Sequence, residues 1–300
     1  MSNAPQVRKA VVPAAGLGTR HFPASHAVKK ELFPVVGPDG IARALIHYHL
    51  LELVQAGIEE ICIIVQPGDD RPIREYLQGP DDAYLKRLAK YPALLAEAGQ
   101  MRELAGRVSF AVQREQEGFG HAVYQTKAFA GDGMVLLCLG DHLFRGRPVS
   151  PCQELAQMTA VCGGRSVSAV NRIGPADLKG YGTIAGLRRA ENPRLIDVSL
   201  IIEKPDVQTA REKLRVDGLE DDVFLGWFGM HLLAPSIYDV LEQMIRDDVR
   251  DNGEFQLTRA QEIQRQREGV LALEMENAER FDFGVPDDFV RSIHAFRWGA

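Results

Sequence analysis

The stretch from Met1 to Lys30 contains no aspartate or glutamate but carries Arg8, Lys9, Arg20, Lys29 and Lys30. In a chain whose formal net charge is -6, that imbalance points to a local anion site. Inside it, Gly16-Leu17-Gly18-Thr19-Arg20 follows the apolar run Ala10-Val11-Val12-Pro13-Ala14-Ala15. Glycines let a backbone pass close to phosphates and turn its N–H groups towards them. The chemistry on offer is binding of a phosphorylated ligand. The run is not a dinucleotide fingerprint, because His21 stands in place of the third glycine. It is not a Walker loop either, because no Gly-Lys-Ser/Thr follows. Taken alone, a Gly-x-Gly after a strand is equally well a plain turn.

Three further places carry functional chemistry. Gln113 precedes Gly118-Phe119-Gly120-His121-Ala122. An amide offers both a donor and an acceptor, so it can pair with the imide edge of a pyrimidine, and Gly120 would allow close approach of a ligand. His121 begins a helix and is read as structural rather than as an acid–base catalyst. Leu137-Cys138-Leu139-Gly140-Asp141 is a strand ending in a carboxylate. Ligands of open α/β sheets bind beyond such ends, so Asp141 is a metal candidate, with a turn cap as the other reading. Phe281-Asp282-Phe283-Gly284 is not a kinase signal, because the catalytic-loop and strand-lysine contexts are absent.

These residues need a scaffold that sets strand ends side by side. Apolar strands are expected at 10–15, 61–65, 108–112 and 134–139. Helices are expected over Ala42–Ala56, Asp82–Leu104 and Ala122–Phe129. In the first of these Leu45, Tyr48, Leu51 and Val54 form the apolar face and Gly57 the stop. Alternation of helices with continuous apolar strands implies a mainly parallel sheet covered on both faces. The second half mixes strands at 166–170, 195–203 and 224–233 with helices opened by Pro235 and Pro286. The reading is a doubly wound α/β fold with a smaller, partly antiparallel subregion. The whole chain is expected to form a single catalytic domain, with a nucleotide-binding part at about 1–145 and a substrate-binding subregion at about 146–300.

With 45% hydrophobic and 25% charged residues the composition is that of a globular protein. An acidic balance argues against non-specific nucleic-acid binding, and no apolar stretch is long enough to span a bilayer. The cysteines Cys62, Cys138, Cys152 and Cys162 show no CxxC spacing and read as buried free thiols in a reducing compartment. The basic N-terminal run breaks at once into glycines and is not a signal peptide, so the expected location is the cytoplasm.

Ala14 to Arg20, Pro23-Ala24-Ser25 and Lys30-Glu31-Leu32-Phe33-Pro34 together resemble the signature of the sugar-phosphate nucleotidylyltransferases. Within them the chain looks most like the bacterial UTP–glucose-1-phosphate uridylyltransferases. The resemblance runs from about Val7 to Phe296, with the motifs in family order, and the segment from Tyr76 to Gly106 looks like the insertion of the uridylyltransferase branch. It implies a Rossmann-like nucleotidyltransferase fold in which Ala14, Ala15, Gly16, Leu17, Gly18 and Thr19 wrap the nucleotide. Arg20 and Lys30 would contact its phosphates, and Gln113, Gly118 and Gly120 would form the base segment. It further implies that Tyr181, Gly182, Glu203, Lys204 and Gly229 meet the sugar phosphate. Asp141 and Asp282 would hold Mg²⁺, and Arg20, Lys30 and Lys204 would be the catalytic cations. Gly253-Glu254-Phe255-Gln256-Leu257-Thr258 is similar to a family helix start. His26, Lys29, Phe119 and Met230 depart from the usual residues.

The implied reaction is UTP plus glucose 1-phosphate giving UDP-glucose and pyrophosphate. The alternatives are the same chemistry with dTTP or another sugar 1-phosphate, and a catalytically silent nucleotide-sugar sensor. The expected partners are a nucleoside triphosphate and a sugar 1-phosphate, with no nucleic acid and no membrane. The family resemblance adds the expectation of a homo-oligomer.

Overall fold

The computed structural model describes residues 6–299. One sheet of nine strands runs through both parts of the chain. Its parallel half sets Val108–Val112, Glu60–Val65, Lys9–Pro13 and Val135–Cys138 side by side in that order. Phe224–Leu233 then joins antiparallel to Val135–Cys138. Beyond it lie Val167–Ile173, Leu271–Glu274, Asn192–Glu203 and Gly182–Arg189, mostly antiparallel. Gly182–Arg189 also pairs with Phe224–Leu233, which closes these five strands into a hydrogen-bonded circuit.

The strands of the parallel half are apolar on both faces because both faces are covered. Ala10, Val12, Ile61 and Ile63 pack in one core with Ile46, Leu50 and Leu53 of helix Leu45–Gln55. Val11, Cys62 and Ile64 point the other way, into a second core with Ile237, Tyr238 and Leu241 of helix Ser236–Arg246. Each fully buried Leu or Ile contributes about 1.5–3 kcal/mol, so neither layer of helices is dispensable. All four cysteines are buried and unbridged. Among the described residues no helix is long and apolar enough to cross a membrane.

Several elements differ from the sequence expectation. Ala42–Ala44 is a strand paired with Pro34–Val36, so the helix starts at Leu45. Its buried face is Leu45, Ile46, His47, His49, Leu50 and Leu53, whereas Tyr48, Leu51 and Val54 are half-buried. Residues 48, 51 and 54 follow a spacing that marks the edge of a wider apolar face. The expected helix Asp82–Leu104 is two, Asp82–Leu88 and Pro92–Ala105. Pro92 lacks an N–H and drives Tyr91 out of helical geometry. The expected helix Ala122–Phe129 also divides, into Phe119–Tyr124 and Lys127–Ala130. Between them Thr126 Oγ1 bonds Val123 O at 2.7 Å and Tyr238 Oη at 2.8 Å, a local side-chain bond that competes with the helix ladder.

Strand order positions the site. From Lys9–Pro13 the chain steps outward to Glu60–Val65 and Val108–Val112, then returns to Val135–Cys138 on the other side of Lys9–Pro13. The glycine loop and Asp141 therefore leave neighbouring strand ends at a topological switch point, where α/β sheets bind ligands. Gly140 is required there, because any side chain would collide with the Pro13 carbonyl.

Candidate active site

Ala14 and Ala15 are buried, and Ala14 N bonds Ile64 O at 2.7 Å, which extends the strand by one residue. The chain then surfaces: Gly16, Leu17, Thr19 and Arg20 are exposed. Gly18 turns in the left-handed region at φ 66, and Ser25 Oγ pins the turn by donating to Gly18 O at 2.7 Å. Lys29, a departure from the usual residue, pairs with Asp69 and anchors the segment leading to Lys30. His21 Nε2 lies 2.9 Å from Phe283 O. The glycine loop is thus tied to a segment more than 250 positions away in sequence.

That tie brings the two predicted metal carboxylates together. His142–Gly146 pairs antiparallel with Ala278–Asp282, setting Asp282 opposite His142, and Phe283 N donates to Asp141 O at 2.8 Å. A methyl group placed on Gly284 would lie 2.9 Å from Asp141 Oδ2, 3.0 Å from Asp282 Oδ1 and 3.3 Å from the Arg20 guanidinium. Three predicted site residues therefore surround one small space beside Gly284. Lys30 reaches the same place, with its Nζ 2.7 Å from Asp141 Oδ2.

His142 stands between the carboxylates, Nδ1 3.0 Å from Asp141 Oδ1 and Nε2 3.4 Å from Asp282 Oδ2. Neither contact has hydrogen-bond alignment, so the ring acts through its charge. Burial alone would raise the Asp141 carboxyl, but His142 and Lys30 hold it well below the usual carboxylate range. Asp282 follows the same logic: burial opposes ionisation, and His142 and the Gly284 N–H outweigh it. His142 is raised in turn, because the two carboxylates outweigh its own burial. Glu31 behaves differently. Fully buried beside Lys30, it is pushed up to about 7 by its burial.

Hard oxygen donors meeting at one point, ringed by cations, suit Mg²⁺. That ion takes one or two carboxylates and leaves its other positions to phosphates and water. Among the described residues there is no cluster of three or more His, Cys, Asp and Glu side chains arranged to hold a metal alone.

Gln113 follows directly on Val108–Val112 and is buried. Its Nε2 donates to Gly118 O at 3.1 Å and lies 3.3 Å from His121 Nδ1. His121 is also held by Glu115 O and Gln125, a structural setting. Side-chain Oε1 of Gln113 has no protein donor among the described residues. The glycines nearby serve packing: Gly120 N donates to Phe255 O at 2.7 Å, a side chain on Gly118 would strike Glu254 and Phe255, and one on Gly120 would strike Phe255 and Leu241. Gly120 was expected to make room for a ligand; the space it leaves is filled by the Phe255–Gln256 backbone and the Leu241 side chain.

On the other side of the cleft, register does the positioning. Glu203 pairs with Gly182, and Lys204 N donates to Tyr181 O at 3.2 Å. Thr258 Oγ1 donates to Glu203 Oε2 at 2.7 Å, which explains the place of the Gly-Glu-x-Gln-Leu-Thr motif. Lys204 holds φ 46, a left-handed conformation disfavoured for a residue with a side chain. Its ammonium is largely exposed, 3.7 Å from Glu203 Oε1. Gly229 is buried under Leu139 and Phe144, inside the sheet rather than on the cleft surface.

This arrangement of an exposed glycine loop, paired acids and a lysine on the opposite wall has relatives. The nucleotidyl transferase family profile matches residues 9–291. The chain belongs to the nucleotidyl transferase family. UTP–glucose-1-phosphate uridylyltransferase 1 of Staphylococcus saprophyticus is 30% identical, over 97% of this chain and 93% of its own length. A UTP–glucose-1-phosphate uridylyltransferase of Staphylococcus epidermidis is 30% identical over 96% and 91%. Among solved structures, a UTP-bound UGPase from Acinetobacter baumannii superposes with a TM-score of 0.77 at 26% identity, covering 97% of this chain and 93% of that one. A UDP-glucose pyrophosphorylase complexed with UDP-glucose gives 0.77 at 22% identity, covering 97% and 98%, a likeness of fold.

Sequence reasoning gave no role to four side chains that this nucleotidyl transferase sets around the cleft. His142 and Thr258 are described above. Trp227 is buried with its indole N–H unpartnered, and its Nε1 would come within 2.5 Å of a methyl group on Gly182. Arg280 lies two positions before Asp282. Strand alternation puts Arg280 and Asp282 on one face, a signal already present in Arg280-Phe281-Asp282.

Proposed function

We propose that this nucleotidyl transferase moves the uridylyl group of UTP onto glucose 1-phosphate, giving UDP-glucose and pyrophosphate. The observation that carries the reading is the convergence of Arg20, Lys30, Asp141 and Asp282 on one space at the end of the glycine loop. The names of the relatives at 30% identity agree with it. For the base, Gln113 Oε1 is an acceptor for the N3–H of a uracil held against the Ala14–Gly16 backbone.

An oxygen of the sugar phosphate attacks the α-phosphorus in line, and the bond to the bridging oxygen of pyrophosphate breaks. The nucleophile is already anionic at neutral pH, so no general base is needed. Rate then comes from positioning and charge stabilisation. Arg20 and Lys30 hold the triphosphate, and Lys204 faces the incoming phosphate. Asp141 and Asp282 would hold Mg²⁺, which when bound neutralises charge developing on the phosphate oxygens. Lys30 then exchanges its contact with Asp141 for a phosphate.

Pyrophosphate release across UTP, dTTP and ATP, each with a panel of sugar 1-phosphates, tests the reading. UTP with glucose 1-phosphate should turn over fastest. Faster turnover of dTTP or of another sugar phosphate would replace the substrate assignment. Binding without pyrophosphate release for every pair would make the chain a sensor.

A further inference from the structure

Arg280 is a cation at the cleft without an anion. Its Nη1 donates to Trp227 O at 3.2 Å and its Nη2 bonds the Tyr181 hydroxyl. The guanidinium lies 4.4 Å from the Tyr181 ring centroid and 6.0 Å from that of Phe228. Among the described residues no carboxylate stands within ion-pair distance of it. Its neighbours are paired: Arg145 with Glu279, and Arg291 with Asp288. A guanidinium has more donors than these two contacts use, and a half-buried cation without a counter-ion is costly.

The surroundings define the missing anion. Phe281 turns into the core against Phe296. Arg280 and Asp282 share the opposite face of the strand and line one open cleft with Tyr181. The other acids of that cleft, Glu279 and Asp288, are paired with Arg145 and Arg291. Tyr181 links the two cationic positions, since its carbonyl accepts from Lys204 N and its hydroxyl meets Arg280. The proposed triphosphate cations are engaged elsewhere: Arg20, on the glycine loop, faces the space beside Gly284, and Lys30, after that loop, bonds Asp141. An anion at Arg280 is therefore next to the metal carboxylate yet on the Tyr181–Lys204 wall. We propose that Arg280 binds the phosphate of the sugar 1-phosphate and, with Lys204, aims its oxygen at the α-phosphorus. This rests on the function proposed above. A planar guanidinium, pre-set by Tyr181 and the Trp227 carbonyl, supplies directional bonds that a flexible lysine does not.

The test compares wild type with Arg280→Lys and Arg280→Met, using pyrophosphate release at varied sugar phosphate and varied UTP. Wild-type turnover, measured first, tests the underlying function and selects the sugar 1-phosphate used. In Arg280→Met the KM for that sugar phosphate should rise roughly 10- to 100-fold. The KM for UTP should stay unchanged, and the melting temperature should stay close to wild type. Arg280→Lys should recover part of the loss because it keeps the charge. An equal rise in both KM values, or an unchanged sugar-phosphate KM in folded Arg280→Met, overturns the assignment. Should Arg280→Met fail to fold, Tyr181→Phe, which frees Arg280 from its hydroxyl partner, should raise the sugar-phosphate KM alone; no rise overturns it as well. Should wild type turn over no sugar phosphate, calorimetry with glucose 1-phosphate decides. Binding lost in Arg280→Met and partly kept in Arg280→Lys supports the site, and no binding to wild type rejects it.

Discussion

Lys30 Nζ donates to Asp141 Oδ2 across 2.7 Å, although 111 positions separate the two residues in sequence. The pair couples the turn that follows the glycine loop to the neighbouring strand end, so each substitution disturbs the other side chain. Lys30→Ala should mainly lower kcat with UTP. It should also cost about 1–3 kcal/mol of stability by leaving the Asp141 carboxylate short of a donor. Lys204→Ala should instead raise the KM for the sugar phosphate and leave the melting temperature unchanged, since its ammonium is largely exposed. Steady-state kinetics with each substrate varied in turn check the division. A Lys204→Ala effect confined to UTP would contradict it.

Gly284 marks the space between Asp141, Asp282 and Arg20. Its backbone is outside the left-handed region, so alanine is conformationally acceptable there. Gly284→Ala should fold normally yet lose about tenfold or more in turnover, equivalent to ~1.4 kcal/mol of barrier. Circular dichroism and pyrophosphate release on the same sample measure both halves. Wild-type turnover would show that the space is not used.

Asp141→Asn and Asp282→Asn should each reduce turnover roughly 100-fold or more. On the proposal that both hold one Mg²⁺, the two should combine to much less than the product of the single effects. Mg²⁺ titration of turnover in all four proteins is the measurement. Multiplicative losses would mean that the carboxylates act independently.

Gln113→Ala should weaken UTP binding by about 1–3 kcal/mol, because a buried amide can no longer meet the base. The sugar-phosphate KM should be unaffected. Comparison of UTP with ATP turnover in wild type is the companion measurement, and equal rates would remove the base-reading role.

Glu52 lies outside the active site, and its enclosed Oε1 has no partner. Burial pushes its carboxyl up to about 7 from 4.5. A carboxyl raised in the folded state binds its proton more tightly folded than unfolded. Its contribution to stability is therefore greatest below 4.5, falls as pH rises towards about 7, and stays low above that. Glu52→Gln should be more stable than wild type by about 1–3 kcal/mol in mildly alkaline buffer, and the gap should shrink as pH falls towards 4.5. Thermal melts across that range decide. A gap that widens on acidification would reverse the sign.

The sequence by itself determined the glycine loop and the strands that carry it. Val11, Cys62 and Ile64 alternate with Val12, Ile61 and Ile63 between two cores. An apolar run covered on both faces is legible without a structure, and so is a glycine loop at its end. Asp141 and Asp282 were legible as acids following strand-like segments. Their meeting was not, because it depends on the pairing of His142–Gly146 with Ala278–Asp282 and on the bond from His21 to Phe283 O. Short strands pair by long-range contacts that leave little local pattern, which is why both of these strands went unseen. Pro92 and Thr126 divided helices whose periodicity looked continuous, since one missing N–H or one side-chain bond outweighs a weak helical preference. Tertiary structure alone decided that His142 stands between the two acids, that Thr258 holds Glu203, and that Arg280 faces Tyr181 with no acid beside it. Each is a relation across a fold, set by register and burial, and no residue type or spacing along the chain encodes it.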